Sequence, residues 1–208
     1  MSPAPDAATR AAGVAHVAAA DPRLGPLIAR HGAPPVRRRR HPFESLARAI
    51  ISQQLGTAAA ATIWGRFVAL LPGAAPRPAA VLATPVARLR TAGVSGAKAA
   101  ALHDLAAHFD DGRLRPRRLL AAGDDDVRAA LLPVRGIGPW SIDMFLIFAL
   151  GRPDILPVGD LGVRRGMQRH FRLRGLPDEA RMTRLAAPWR PFRSVGAWYM
   201  WRLVEEGG

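Results

Sequence analysis

The side chains best suited to chemistry fall in one stretch, Leu131 to Phe171. A turn, Val134-Arg135-Gly136-Ile137-Gly138-Pro139-Trp140, is followed by an isolated acid, Asp160, in the context Pro157-Val158-Gly159-Asp160-Leu161-Gly162. Glycines in such a turn permit positive φ and leave backbone N–H groups uncovered, and the helix that follows adds the positive end of its dipole. Together these cradle a phosphate without reading base sequence. A carboxylate in an apolar setting does a different job: it stabilises a developing cation and orients or deprotonates water. Each feature also has a plainer use, because tight helix connections need glycine and Asp caps helices well. Asp143 is a rival acid, but its place inside the helix after the turn points to a structural contact.

Charge says what such a turn would meet. The 208 residues carry 30 basic and 16 acidic side chains, a formal net charge of +14. A surface of that kind concentrates polyanions, nucleic acid first among them. Lys98 is the only lysine, so 29 of the 30 basic residues are Arg. Coding bias in a high-GC genome also favours Arg over Lys, yet that exchange adds no charge, and the shortage of acids remains. Cys is absent, which excludes disulfides, thiolate zinc sites and cysteine-ligated iron–sulfur clusters. The first twenty residues lack a secretory signal's basic-then-apolar layout, and no run approaches a membrane span. A soluble, cytoplasmic protein is expected.

The elements that must position these residues read as helices. Apolar residues recur at three- and four-residue spacing, and long alternating Val/Ile/Thr runs are missing, so the fold class is all-α. Residues 1–20 read as a frayed tail, and Asp21-Pro22 as the cap and first turn of a helix to about Arg30. The run Arg37–Arg40 reads as a solvated segment or a phosphate-facing strap. Pro42 opens a helix to about Gln54 that buries Phe43, Leu46, Ile50 and Ile51. Helices at 58–71, 78–83 and 85–91 follow, then one from Ala97 to Phe109 capped by Ser95. Three acids, Asp124–Asp126, suit the start of a helix to Leu132. Pro139 starts a strongly apolar helix to Leu150, and Asp160 or Gly162 opens one to about Phe171. Another begins at Pro177-Asp178, and an aromatic-rich helix spans 191–206.

Three segments together resemble the helix-hairpin-helix DNA glycosylase superfamily, and within it the 3-methyladenine DNA glycosylase II (AlkA-like) branch. They are Phe43 to Leu55 with its Ala-Ile-Ile-Ser-Gln-Gln, Val134 to Phe148 with Leu156 to Gly166, and Trp189 to Trp201. Their order and spacing match over roughly residues 40–205. The resemblance implies a two-lobed, all-α fold without the N-terminal β-domain of larger relatives, since about forty residues precede Pro42. Residues 42–165 would form the lobe carrying the hairpin (about 127–150) and the acid, with 1–41 and 166–208 completing the other. A cleft between the lobes would take a flipped base, with Asp160 at its floor.

The resemblance also implies residue roles and an activity. Asp160 is the catalytic carboxylate of an enzyme that cuts the N-glycosidic bond of alkylated bases in base excision repair. Trp140, Trp201, Met144 and Tyr199 match base-pocket positions, although helical spacing sends Tyr199 and its neighbour Trp198 in different directions and one of them belongs to the core. Gln54, with Gln53 beside it, stands at the wedge that enters the duplex. Val134, Arg135, Gly136, Ile137 and Gly138 of the hairpin, with Arg164, Arg165 and Lys98, would contact the DNA backbone. Relatives that also nick the strand carry a Lys where this chain has Trp140, so a monofunctional enzyme is expected. No organic cofactor or catalytic metal is implied, only a monovalent cation on hairpin carbonyls. The expected partner is double-stranded DNA holding an alkylated base, bound by a monomer. A non-catalytic DNA-binding module and a glycosylase for oxidised or deaminated bases are the alternatives. If Arg135 touches phosphate alone, Arg135→Ala will weaken binding to all duplexes alike and reduce the slope of log K against log salt by about one. Affinity titrations from low to moderate salt read this directly.

Overall fold

The computed structural model describes residues 7–35 and 41–207. The run Arg37–Arg40 lies outside them. Thirteen α-helices and no strand occur among the described residues: α1 Ala7–Ala20, α2 Gly25–His31, α3 Pro42–Ser52, α4 Thr57–Leu70, α5 Pro78–Leu82, α6 Val86–Arg90, α7 Gly96–Asp110, α8 Pro116–Ala121, α9 Asp124–Leu131, α10 Pro139–Phe148, α11 Leu161–His170, α12 Glu179–Leu185 and α13 Arg193–Glu205. None is long and apolar enough to cross a membrane.

Local chemistry accounts for most boundaries. Pro42 and Pro139 sit in first turns, where the missing N–H costs nothing. Ser95 accepts from the Lys98 amide and Asp178 from the Arg181 amide, capping α7 and α12. The expected stripe of α3 is fully buried at Phe43, Leu46, Ile50 and Ile51. In α4 Phe67 is fully buried, while Ile63 and Leu70 on the same apolar stripe are half-exposed. A short helix, α8, overlaps the basic cluster Arg113–Arg118, for which no helix was expected.

Two expectations near the N-terminus need correction. The tail is helical from Ala7, because alanine has the highest helix propensity and Val17 is buried. Gly13 fits against Phe192: a Cβ there would lie 2.9 Å from its ring. Asp21 makes no side-chain cap bond. Its carboxylate is 4% exposed and lies 2.7 Å from both Arg23 and His170. Burial opposes its ionisation, but the hydrogen bonds from Arg23 and His170 outweigh that and hold its carboxyl below the usual range.

Packing divides the described residues into two compact units, 41–145 and 7–35 with 146–207. The division falls within α10, not at residue 165, so Asp160 is carried by the second unit. Its helix explains the assignment: α11 runs against α13, and Gly166 faces the Met200 backbone so closely that a Cβ would collide with the Met200 carbonyl. The core of this unit joins Val163 and Met167 of α11 to Met200 and Tyr199 of α13, with Val17, Leu24, Met182 and Trp189 around them.

Gly166→Ala will therefore force α11 and α13 apart and destabilise the protein by about 1–3 kcal/mol, lowering the melting midpoint by several degrees. Gly65 of α4 has nothing within 4 Å of its virtual Cβ, so Gly65→Ala will be neutral or stabilise by up to ~1 kcal/mol. Thermal denaturation of both variants checks the pair.

Candidate active site and nucleic-acid interface

The acid belongs to the second unit. Asp160 precedes α11, and its Oδ1 accepts from the Val163 amide at 2.8 Å and from Trp201 Nε1 at 2.9 Å. The residue is 9% exposed. A negative group suits this end of a helix, so the capping role is real. The same contacts also fix the carboxylate's direction, and capping does not exclude chemistry. Trp201 reaches it because Gly162 leaves room: a Cβ there would lie 2.9 Å from Trp201 Cδ1 and 3.1 Å from Asp160 Oδ1. The indole packs on Phe148, with ring centroids 5.5 Å apart. A fixed carboxylate with an aromatic face beside it can stabilise a cation.

The segment leading to Asp160 is tied down by residues that the sequence did not single out. Ser194, buried at the start of α13, donates to the Arg152 carbonyl at 2.8 Å and accepts from the Ile155 amide at 2.9 Å. Arg193 grips Asp154 through two bonds of 2.7 and 3.0 Å, the bidentate geometry guanidinium favours. Arg193 and Ser194 lie inside the family-like segment Trp189 to Trp201 without a role read for them, and the Pro153-Asp154 pair carried no motif signal.

In the first unit the hairpin connects α9 to α10. Gly136 takes φ +75, and a Cβ on it would come within 2.8 Å of Ala101, so glycine is required twice over. Val134 and Ile137 bury their side chains, and their amides bond internally to Leu131 and Val134 carbonyls. The Arg135 amide donates to Asp104 Oδ2 at 2.8 Å. These three residues therefore do not offer their amides to a phosphate, and that role narrows to Gly136 and Gly138. The Arg135 side chain is exposed. Asp143 is buried and bonds Arg128 at 2.6 Å, the structural contact its position suggested.

Gln54 is exposed and held at φ +57, just past the end of α3. Gln53 points elsewhere: its Nε2 donates to the Gly136 carbonyl at 2.8 Å and to Ser141 Oγ at 2.9 Å. Of the wedge pair, only Gln54 presents itself outward. Lys98, expected on phosphate, donates its ammonium to the Ile51 and Gln53 carbonyls at 2.8 and 2.7 Å. Burial lowers its pKa. Its charge is engaged inside the protein.

Of the four residues matched to base-pocket positions, one belongs to the core. Tyr199 is fully buried in the second unit's core, and its hydroxyl donates to the Gly32 carbonyl at 2.8 Å. Burial pushes that hydroxyl up to about 12, so Tyr199 packs and does not line a pocket. Helix phase is the cause, for two positions along from Tyr199 the face turns and Trp201 emerges half-buried. Trp140 and Met144 are half-buried on α10. Arg164 is half-buried and donates to the Pro177 carbonyl at 3.1 Å, while Arg165 is exposed; only Arg165 retains an outward charge. Trp189 is wholly core, stacked on Phe171, and Trp64 packs on Phe67 beneath Arg48. Among the described residues no group of three or more His or acidic side chains is placed to hold a metal.

Comparison with known proteins places the chain in a family. The family model for the HhH-GPD superfamily base excision DNA repair protein matches residues 47–191. A putative DNA-3-methyladenine glycosylase of Bacillus subtilis (strain 168) is 31% identical over 169 residues, 78% of this chain and 59% of that protein. The chain thus spans about three fifths of that relative's length. DNA-3-methyladenine glycosylase 1 of Schizosaccharomyces pombe is 30% identical, covering 80% of this chain and 74% of its own. The solved 3-methyladenine DNA glycosylase (Mag1) of that yeast, in complex with abasic DNA, superposes with TM-score 0.85 at 28% identity over 92% of this chain and 95% of its own.

Because Asp160 both caps α11 and presents a charge, its two roles separate by substitution. Asp160→Ala will destabilise the fold by about 1 kcal/mol, whereas Asp160→Asn, which still accepts from the Val163 amide, will cost only a few tenths. Urea denaturation midpoints at fixed slope distinguish the two.

Proposed function

The chain belongs to the HhH-GPD superfamily of base excision DNA repair proteins, and on that footing we propose that it is a monofunctional DNA glycosylase acting on alkylated bases. It hydrolyses the N-glycosidic bond of 3-methyladenine, 7-methylguanine and similar lesions after base extrusion, and leaves an abasic site. The observation that carries this reading is Asp160, a buried carboxylate oriented by a backbone amide and by the Trp201 indole.

The chemistry fits one acid. As the bond to the base lengthens, the sugar gains oxocarbenium character. A carboxylate about 4 Å from a unit positive charge contributes ~1 kcal/mol in bulk water and ~4 kcal/mol at an effective dielectric near 20. That difference of ~3 kcal/mol is about two orders of magnitude in rate, so burial of Asp160 matters as much as its charge. Fixed hydrogen bonds to Oδ1 mean little reorganisation during the step. The carboxylate then orients or deprotonates the water that completes hydrolysis. An N-alkylated purine already carries positive charge and leaves without a strong general acid. An indole face favours such a base by about 0.5–2 kcal/mol, modest selectivity that the weak glycosidic bond itself supplements.

Strand cleavage is not part of the reading. Trp140 stands where a lyase would carry its amine nucleophile, and the single lysine directs its Nζ to two carbonyls. The enzyme acts as a monomer on double-stranded DNA, held through the hairpin and its exposed arginines. A monovalent cation on hairpin carbonyls would share the Val134 and Gly136 oxygens with Ile137 and Gln53, which already donate to them.

Asp160→Asn will lower the single-turnover rate of 7-methylguanine release at least a hundredfold while leaving affinity for abasic-site DNA within about threefold. An Asp160→Asn protein with near-normal release contradicts the assignment. Loss of folding, read by circular dichroism, would mean that the cap and not the chemistry was removed.

A further inference from the structure

Lys98 is the only lysine among 30 basic residues, and it occupies a position that electrostatics does not favour. It is the third residue of α7, at the positive end of that helix, where a cation costs about 0.3–1 kcal/mol. It is also partly buried. Its ammonium compensates by donating to the carbonyls of Ile51 and Gln53 at 2.8 and 2.7 Å, acceptors that the end of α3 leaves without helical partners. A compact ammonium with three rotatable donors can satisfy two carbonyls converging from one helix end. A planar guanidinium cannot occupy the same point.

Gln54 follows the clamped residue directly. It holds φ +57, a conformation that costs a non-glycine residue about 1–2 kcal/mol. The backbone on both sides is restrained: the Gln53 carbonyl by Lys98, and the Leu55 amide by the Ser52 carbonyl at 3.2 Å. The Gln53 side chain then bonds the hairpin at the Gly136 carbonyl and at Ser141. The same helix that carries Lys98 touches the hairpin twice, through Ala101 against Gly136 and Asp104 on the Arg135 amide. Helix α7 thus braces the end of α3 and the hairpin at once.

We propose that Lys98 and Gln53 are positioning residues that lock the segment bearing Gln54 to the hairpin, so that gripping the DNA backbone sets where Gln54 enters the duplex. The proposal rests on the reading of Gln54 as the wedge, and neither residue need touch DNA. Restraining Gln54 in its left-handed conformation before binding removes an ordering cost from base extrusion.

The test uses the full chain with duplex containing 2-aminopurine beside a tetrahydrofuran abasic analogue, whose fluorescence reports unstacking. Lys98→Met and Gln54→Ala will each reduce the unstacked-to-stacked ratio about tenfold, and the double variant will be no worse than Gln54→Ala alone. Lys98→Arg will not rescue, and the salt slope of affinity for undamaged duplex will not change in Lys98→Met, because the ammonium contacts no phosphate. Additive losses in the double variant, or full rescue by Lys98→Arg, would overturn the coupling while leaving the wedge intact. A Gln54→Ala protein that unstacks normally would remove the wedge reading itself. Should Lys98→Met fail to fold, Gln53→Leu severs the hairpin tie and must show the same non-additivity with Gln54→Ala.

Discussion

One carboxylate oxygen in the second unit accepts from two elements at once. Asp160 Oδ1 takes the Val163 amide, which starts α11, and the Trp201 indole, which projects from α13. For both bonds to exist the helices must lie close, and glycine makes that possible twice, at Gly162 beside the indole and at Gly166 against the Met200 backbone. The clamp of Ser194 and Arg193 on residues 152–155 then fixes the chain that enters Asp160. Stability and the proposed chemistry share these contacts. The acid is held rigid by the same hydrogen bond that begins a helix, which is how a preorganised charge arises at little additional cost.

Under the proposed function the first unit handles a different problem: offering the DNA backbone a rigid, sequence-blind grip. Its hairpin amides are mostly consumed internally, and the carboxylate of Asp104 holds one of them. What remains for a phosphate in that reading is two glycine amides and the exposed Arg135. Part of the chain's positive charge acts elsewhere, since Arg128 and Arg193 pair with buried or half-buried acids and Arg164 bonds a carbonyl. The long-range field of the remainder still favours encounter with a polyanion.

Features set by local chemistry were legible in the sequence. The buried face of α3, the Ser95 and Asp178 caps, the proline starts and the capping acid Asp160 follow from periodicity and propensity. Features set by distant contacts were not. Alanine content alone could not place α1 in a core, because its burial depends on Phe192 and Val17 meeting remote partners. The aromatics of α13 sit on every side of the helix, so sequence could not say that Tyr199 turns inward while Trp201 turns to the acid. Lys98 was unreadable for another reason: its acceptors are backbone carbonyls, which carry no residue signature. The boundary between units escaped notice because it falls inside a continuous apolar helix.

A monofunctional glycosylase hydrolyses the glycosidic bond of an alkylated base and stops there. Incubating the protein with a duplex carrying a single 7-methylguanine, then counting free base and separating the strands with and without alkali, tests this in one experiment. Free 7-methylguanine is expected, with the strand intact until alkali is added. Tight binding without any released base, or strand scission before alkali, would contradict it.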